Sequence, residues 1–210
     1  GPIYTPASLP NESTGKRGTI FVPSAGGGAN WPGAGFDPES NVLFVPASNG
    51  AFTPYMGTLP ADESNLRYYR LQNRGVVGPR GLPLLKPPYS TITALDMEQG
   101  EILWQVANGD GMARVENHPA LKDVRLPPLG GGGRHPVLVT STLLIHAQDT
   151  GYGPLLIARD KATGEELASI GLSGSPQSAP MSFAVHGKQY IALTLNNSPV
   201  PQLVAFSLPD

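Results

Sequence analysis

Few side chains in this 210-residue sequence stand in a pattern that performs chemistry by itself. The four histidines, His118, His135, His146 and His186, form neither a His-Glu-x-x-His motif nor an i, i+4 pair, so no zinc-hydrolase site is written here. His146 falls in a predicted strand and His186 in a tight turn, positions of structural histidines. His118 and His135 fall in loops that could reach a site mouth. Asp96 and Asp160 look like paired carboxylates for acid–base work. Each, however, closes an apolar strand and is followed four residues later by Gly100 or Gly164. That is hairpin chemistry: the carboxylate bonds turn amides and the glycine takes a positive φ. Gly26–Gly28 and Gly130–Gly133 are not followed by Lys-Ser/Thr, so neither is a phosphate loop. Their expected role is backbone freedom where strands crowd, with a site wall as the alternative. Asn65 to Lys86 carries Arg67, Arg70, Arg74, Arg80 and Lys86 with no acid, beside Tyr68 and Tyr69. It could meet an acidic partner, a lipid headgroup surface or a neighbouring subunit; the alternative is a solvated insertion.

The elements that carry these residues read as short strands. Gly 26 and Pro 23 punctuate the chain, yet 40% of residues are hydrophobic, which excludes a disordered tract. No stretch sustains a helical apolar stripe, and no apolar run reaches transmembrane length. A net charge of −2 argues against nucleic-acid binding, and the lack of cysteine removes disulfides and thiolate metal sites. The hairpins at 90–107 and 155–170 repeat one pattern 64 residues apart (Asp96 to Asp160), the spacing of propeller blades. Further strands are predicted at 19–22, 34–37, 41–46, 137–140, 143–147, 179–185, 189–195 and 202–208. Residues 50–89 and 108–135 read as irregular insertions. About eleven strands make two four-stranded blades and a last blade at 178–208 one strand short. The fold class is therefore all-β, a partial β-propeller spanning 1–210. Three blades cannot close a ring, so the chain is expected to belong to something larger.

Several motifs together resemble the C-terminal part of the eight-bladed pyrroloquinoline quinone (PQQ)-dependent dehydrogenases, in particular the glucose-dehydrogenase-like branch. Ala94-x-Asp96-x3-Gly100-x3-Trp104 is similar to the family's tryptophan-docking motif. Gly27-Gly28-Ala29-Asn30-Trp31-Pro32-Gly33-Ala34, followed by Phe36-Asp37-Pro38, resembles its segment near the cofactor. Pro180-Met181-Ser182-Phe183, Gly187-Lys188-Gln189-Tyr190 and Leu203 to Pro209 resemble its last blade. Ala168 departs from the pattern, standing where a second docking Trp belongs, and Asn196-Asn197 replaces a Gly-rich turn.

The resemblance implies an enzyme that oxidises a sugar or alcohol hydroxyl by hydride transfer to PQQ. Asn30 and Trp31 would be its cofactor-binding residues here: an amide for a PQQ oxygen and an indole as a wall. The alternative reading makes Asn30 a turn cap and Trp31 core packing. The resemblance puts the catalytic Asp, a cofactor-contacting Lys and the calcium ligands upstream of Gly1, so no catalytic or metal residue is assigned and the isolated chain is expected to be inactive. The implied partners are the remaining blades, from the parent chain or another chain, a small sugar or alcohol, and a quinone or cytochrome electron acceptor. The implied compartment is the bacterial periplasm, with membrane association through an upstream region left open. The competing function is a non-catalytic propeller scaffold that has lost cofactor chemistry, a reading to which Ala168 lends weight.

Overall fold

A computed structural model describes residues 2–208 except 10, 12, 16, 17, 67–69, 75, 132, 134 and 198, with the backbone alone at 56 and 70–74. Its contacts divide the chain into two compact units, 1–27 with 49–86, and 28–48 with 87–210. The strands in chain order are β1 (Gly35–Asp37), β2 (Val42–Ser48), β3 (Thr53–Gly57), β4 (Arg70–Arg74), β5 (Ser90–Asp96), β6 (Glu101–Ala107), β7 (Val137–Val139), β8 (Leu143–Thr150), β9 (Gly153–Asp160), β10 (Glu166–Gly171), β11 (Ser175–Pro176), β12 (Met181–Val185), β13 (Lys188–Asn196) and β14 (Gln202–Ser207). One turn of α-helix, α1 (Ala113–Glu116), interrupts the segment between β6 and β7.

The larger unit is built from three antiparallel sheets. The first has the order β1-β2-β5-β6 and the second β7-β8-β9-β10. In the third, β13 pairs with β11 and β12 along one edge and with β14 along the other, which makes three strands side by side. These are the two full blades and the shorter third blade that the hairpin spacing implies.

Local chemistry explains the two repeated hairpins. In each the aspartate closes the turn as its position requires. Asp96 Oδ1 accepts from the amides of Glu98 and Gln99, and Asp160 Oδ1 from those of Ala162 and Thr163. Gly100 (φ +70°) and Gly164 (φ +76°) supply the left-handed residue that a side chain would resist. Both carboxylates are thereby committed to turn structure, in different sheets.

Period-two alternation in the strands then builds two cores. Val42, Phe44, Ile92 and Ala94 of the first sheet meet Val137 and Leu144 of the second. On the other face of β8, Ile145 and Ala147, with Leu156 and Leu172, pack on Leu193 and Leu195 of the third sheet. A strand buried on both faces must be apolar on both, which is why β8 reads as a nearly continuous hydrophobic run until His146.

The smaller unit corrects two expectations. Residues 50–89 are not wholly irregular: β3 and β4 pair from Thr53↔Arg74 to Gly57↔Arg70, and a 3-10 turn follows at Pro79–Gly81. Pro54 and Gly57 hide the first strand and Arg-Leu-Gln-Asn-Arg lacks apolar alternation, so the ladder forms against local propensity. Conversely, the strand expected at 19–22 shrinks to one bridge, Phe21↔Phe52. Pro23 has no N–H with which to extend it. The described residues hold fourteen strands rather than eleven.

Candidate functional site

The Asn30–Trp31 segment leads into β1, the first strand of the first sheet. The loop is organised by backbone bonds: Gly27 N–H donates to Ser24 O at 2.8 Å, and Ser48 N–H, at the end of β2, donates to Gly28 O at 3.1 Å. Asn30 then shapes a turn of its own. Its Oδ1 accepts from Trp31 N–H at 2.8 Å, and its backbone carbonyl accepts from Gly33 N–H at 2.9 Å. The turn-capping role expected as the bland alternative is therefore present. It also fixes the Asn30 side chain by its oxygen, so the donor end of the amide has a defined direction. Within this chain Trp31 is 87% exposed and belongs to neither core.

Strand direction assigns the ends of the first two sheets. At one end lie the approach to β1, the end of β2, the start of β5 and the segment between β6 and β7. At the other lie the tight turns after β1, β5, β7 and β9. Asn30 belongs to the first, the loop end.

The loop end also holds the second glycine run. A Cβ on Gly130 would stand 2.4 Å from Ser90 O, and one on Gly131 2.9 Å from Gly111 O. Backbone crowding, not a ligand, accounts for these two glycines; Gly132 lies outside the described residues. Asn108 locks the crossing. Its backbone N–H donates to Ser90 O at 2.9 Å, its carbonyl accepts from Ser90 Oγ at 2.7 Å, and its Nδ2 donates to Gly133 O at 3.0 Å.

The turn end carries the shortest ion pair among the described residues. Lys161, in the turn after β9, donates from Nζ to Asp37 Oδ2 at 2.6 Å and to Thr140 O at 3.3 Å. Ser40 Oγ donates to the same carboxylate oxygen at 2.6 Å. The Lys161 hydrogen bond, aided by Ser40, holds the Asp37 carboxyl below its ordinary range against the opposing effect of burial. The backbone of Lys161 is used as well: Trp104 Nε1–H on β6 donates to its carbonyl at 3.2 Å. The indole packs at 5.7 Å from the Phe44 ring and covers Gly164 so closely that a Cβ there would stand 2.8 Å from Cε3. One turn of the second sheet thus receives both the first and the last strand of the first sheet. At the corresponding place on β10, Ala168 is exposed. A shallow cavity of about 220 Å³ lies at this end, lined by Phe36 to Glu39 and Val139 to Ser141.

Between the two ends runs a buried polar row that sequence reasoning missed except for His146. Arg159 donates from Nε to His146 Nε2 at 3.1 Å, from Nη1 to Gly164 O at 3.1 Å and from Nη2 to Glu166 Oε2 at 3.3 Å. Desolvation, reinforced by the Arg159 charge, pushes the His146 pKa down to about 3, so the imidazole is neutral at physiological pH. His146 is a core histidine. His118 caps the 3-10 turn at Pro119–Leu121 by accepting from Ala120 N–H at 3.1 Å, and His186 takes a left-handed turn conformation, φ +51°. Among the described residues no three His, Cys, Asp or Glu side chains are grouped to hold a metal, and no helix is long and apolar enough to cross a membrane. Of the basic segment, Arg67, Tyr68 and Tyr69 lie outside the described residues, as do the side chains of Arg70 and Arg74, while Arg80 and Lys86 are exposed.

Comparison with known proteins gives this geometry its context. The family model for the PQQ glucose/ethanol/alcohol dehydrogenase β-propeller domain matches residues 1–191. A probable quinate dehydrogenase (quinone) of Xanthomonas campestris pv. juglandis is 28% identical over 224 residues, 91% of this chain and 27% of the relative. The glycerol dehydrogenase large subunit of Gluconobacter oxydans is 29% identical over 250 residues, 99% of this chain and 31% of the relative. The quinoprotein glucose dehydrogenase of Escherichia coli K12 is 27% identical over 240 residues, 99% of this chain and 28% of the relative. This chain therefore spans less than a third of the length of these curated relatives. Among solved structures, the quinohemoprotein alcohol dehydrogenase of Pseudomonas putida HK5 superposes with a TM-score of 0.54 at 16% identity, over 91% of this chain and 28% of that one. That of Comamonas testosteroni gives 0.52 at 18%, over 80% and 22%. At such identities the two superpositions speak for the fold alone, and the fold they share is the propeller.

Proposed function

The chain belongs to the PQQ glucose/ethanol/alcohol dehydrogenase β-propeller family, and on that premise we propose that it forms the C-terminal part of a dehydrogenase that oxidises a sugar or alcohol hydroxyl. PQQ, when bound, supplies the quinone that takes the substrate's hydride. In this chain Asn30 and Trp31 are its proposed contacts. The Asn30 amide donates to a carbonyl or carboxylate oxygen of the cofactor, its direction set by the bond from Trp31 N–H to Oδ1. The Trp31 indole offers a flat apolar face and excludes water beside that amide.

The observation that carries this reading is the exposure of Trp31 directly beside a side chain already fixed by its own turn. Within this chain, which spans less than a third of its relatives' length, the indole is 87% exposed and packs on little; we propose that a planar ligand covers it. Trp104, by contrast, is proposed to serve as the docking Trp that holds one blade to the next.

The catalytic base, the calcium ligands and the cofactor-contacting Lys are proposed to lie upstream of Gly1, so the isolated chain is proposed to be inactive. Periplasmic location and a quinone or cytochrome acceptor belong to the same proposal. The names of two relatives, a dehydrogenase (quinone) and a hydroxylase [cytochrome c], support an acceptor of that kind.

The test uses the full-length parent protein. PQQ with calcium is added, the bound cofactor's absorbance is followed, and dye-linked oxidation of sugars and alcohols is assayed in wild type and Asn30→Ala. Tight binding and oxidation in wild type, with binding weakened about 5- to 100-fold in the variant, is the expected result for loss of a buried hydrogen bond to an acceptor. A folded parent that binds no PQQ would overturn it and leave the scaffold reading.

A further inference from the structure

The excursion between β6 and β7 leaves and rejoins the first sheet through a narrow neck. Gly131 N–H donates to Asn108 O at 2.9 Å, Gly130 N–H to Gly109 O at 3.1 Å and Leu129 N–H to Asp110 O at 3.3 Å. Tyr89 N–H, at the start of β5, donates to Leu129 O at 2.7 Å and fixes the neck to the sheet. Gly109 (φ +93°) and Gly130 (φ +66°) are bonded to each other there, in conformations that a side chain resists.

Beyond the neck the chain makes a loop of the Ω type, its ends together and its bonds mostly its own. Asn117 N–H donates to Ala113 O, His118 N–H to Val115 O, Leu121 N–H to His118 O and Val124 N–H to Leu121 O. Of residues 112–128 only Val115 is buried, while Lys122 to Arg125, Pro127 and Pro128 are exposed. A segment with so little buried apolar surface opens locally at small cost.

One bond from another sheet reaches it. Tyr152, at the tip of the β8–β9 hairpin, donates its hydroxyl to Glu116 Oε2 at the end of α1. The carboxylate is also seated at the neck, since a Cβ on Gly111 would stand 2.6 Å from Glu116 Oε1. The hairpin tip lies under the start of the same helix, where a Cβ on Gly151 would stand 3.4 Å from Ala113 Cβ. The second sheet thus holds a loop that belongs to the first.

We propose that residues 112–128 form a flap at the loop end, hinged at the glycine neck and latched shut by Tyr152 on Glu116. The flap is a neighbour of the Asn30 loop: Ser48 pairs with Ser90, Gly28 O accepts from Ser48 N–H, and Gly130 crosses over Ser90. Release of the latch therefore also speeds the entry of PQQ, a consequence that rests on the function proposed for Asn30, whereas the latch itself does not.

The test is amide hydrogen exchange of the full-length parent protein, wild type, Tyr152→Phe, Glu116→Ala and Glu116→Gln. Tyr152 is 57% exposed, so its loss of a hydroxyl leaves the folded frame intact. Peptides within 112–128 should exchange about 3- to 10-fold faster in Tyr152→Phe and Glu116→Ala, the range for loss of one hydrogen bond at a partly exposed site. Glu116→Gln, which keeps an acceptor oxygen, should stay near wild type. Unchanged exchange in 112–128, or an equal rise in β8 and β9, overturns the latch. The association rate of PQQ should rise in the same two variants; a parent that binds PQQ at an unchanged rate despite faster exchange overturns the gating. A parent that binds no PQQ refutes the reading of Asn30, and the exchange pattern still decides the latch.

Discussion

Lys161 is the residue whose loss should most sharply expose how the first two sheets are joined. Its ammonium reaches Asp37 across 124 residues of sequence, and the two side chains are 16% and 4% exposed. Breaking a buried ion pair by deleting one partner costs about 3–5 kcal/mol. Lys161→Met should cost less here, about 1–3 kcal/mol, because Asp37 keeps the Ser40 hydroxyl and the Glu39 amide. Asp37→Asn should cost a similar amount, and the double variant less than the sum, with a coupling of about 1–2 kcal/mol. The assay is urea unfolding of the full-length parent followed by far-ultraviolet circular dichroism. The pH dependence supplies a second reading. Asp37 has a folded pKa below its unfolded value, so the stability it contributes is present above that unfolded value, about 3.9, and is lost as pH falls through the lower folded pKa. Without Lys161, burial pushes the carboxyl upward, so Lys161→Met should lose stability at a higher pH than wild type. Additivity of the two single variants within about 0.3–0.5 kcal/mol would refute the argument that the pair acts as a unit.

Trp104→Ala should destabilise the parent by about 2–4 kcal/mol, while Trp104→Phe, which keeps a ring but not the bond to Lys161 O, should cost nearer 1 kcal/mol; equal costs in urea titrations would show that the indole N–H is irrelevant. His146 has a folded pKa depressed to about 3, so its contribution is complete above the unfolded value near 6.5 and declines as pH falls from there towards the folded pKa. Between pH 6.5 and 5 this should remove about 2 kcal/mol from wild type. His146→Gln, which retains an acceptor for Arg159, should lack that slope in a pH series of urea curves; an unchanged slope would assign it to another group.

How much of this could be read beforehand depended on distance along the chain. The hairpins at 90–107 and 155–170 were legible because Asp, turn and Gly lie within five residues and the physics of the turn is local. That the last sheet has fewer strands side by side than the first two followed from counting such units. The β3–β4 ladder was hidden, since Pro54, Gly57 and a polar Arg70–Arg74 carry no alternation, and register alone makes the strands. Asp37, Lys161 and Arg159 were invisible as a group for a similar reason. Their partners are set by sheet stacking, and no spacing in the sequence announces a contact from residue 37 to residue 161. One signal was available: Arg159 and His146 are a cation and an imidazole inside strands buried on both faces, where a polar residue must find a partner or pay for its burial. Asn30 and Trp31 were proposed through resemblance alone, and the Asn30 turn by itself is an ordinary local cap.

The placement of these groups divides the molecule into ends with different work. At the turn end, Asp96 and Asp160 close hairpins, Lys161 meets Asp37, and Trp104 covers Gly164. Each contact ties strand to strand or sheet to sheet. At the loop end the chain leaves the sheets for longer excursions, and Asn30 with its exposed Trp31 stands on one of them. Loops held on a rigid frame can vary in sequence without disturbing the frame, and that is why binding residues gather on them. Substitutions at Lys161, Asp37 or Trp104 should therefore move stability first and ligand affinity only as a consequence. On the proposed function, substitutions at Asn30 or Trp31 should do the reverse. The two classes of variant separate only if the frame is stiff between its ends, and the buried pair of Arg159 and His146, lying between apolar cores, is where that stiffness would be set.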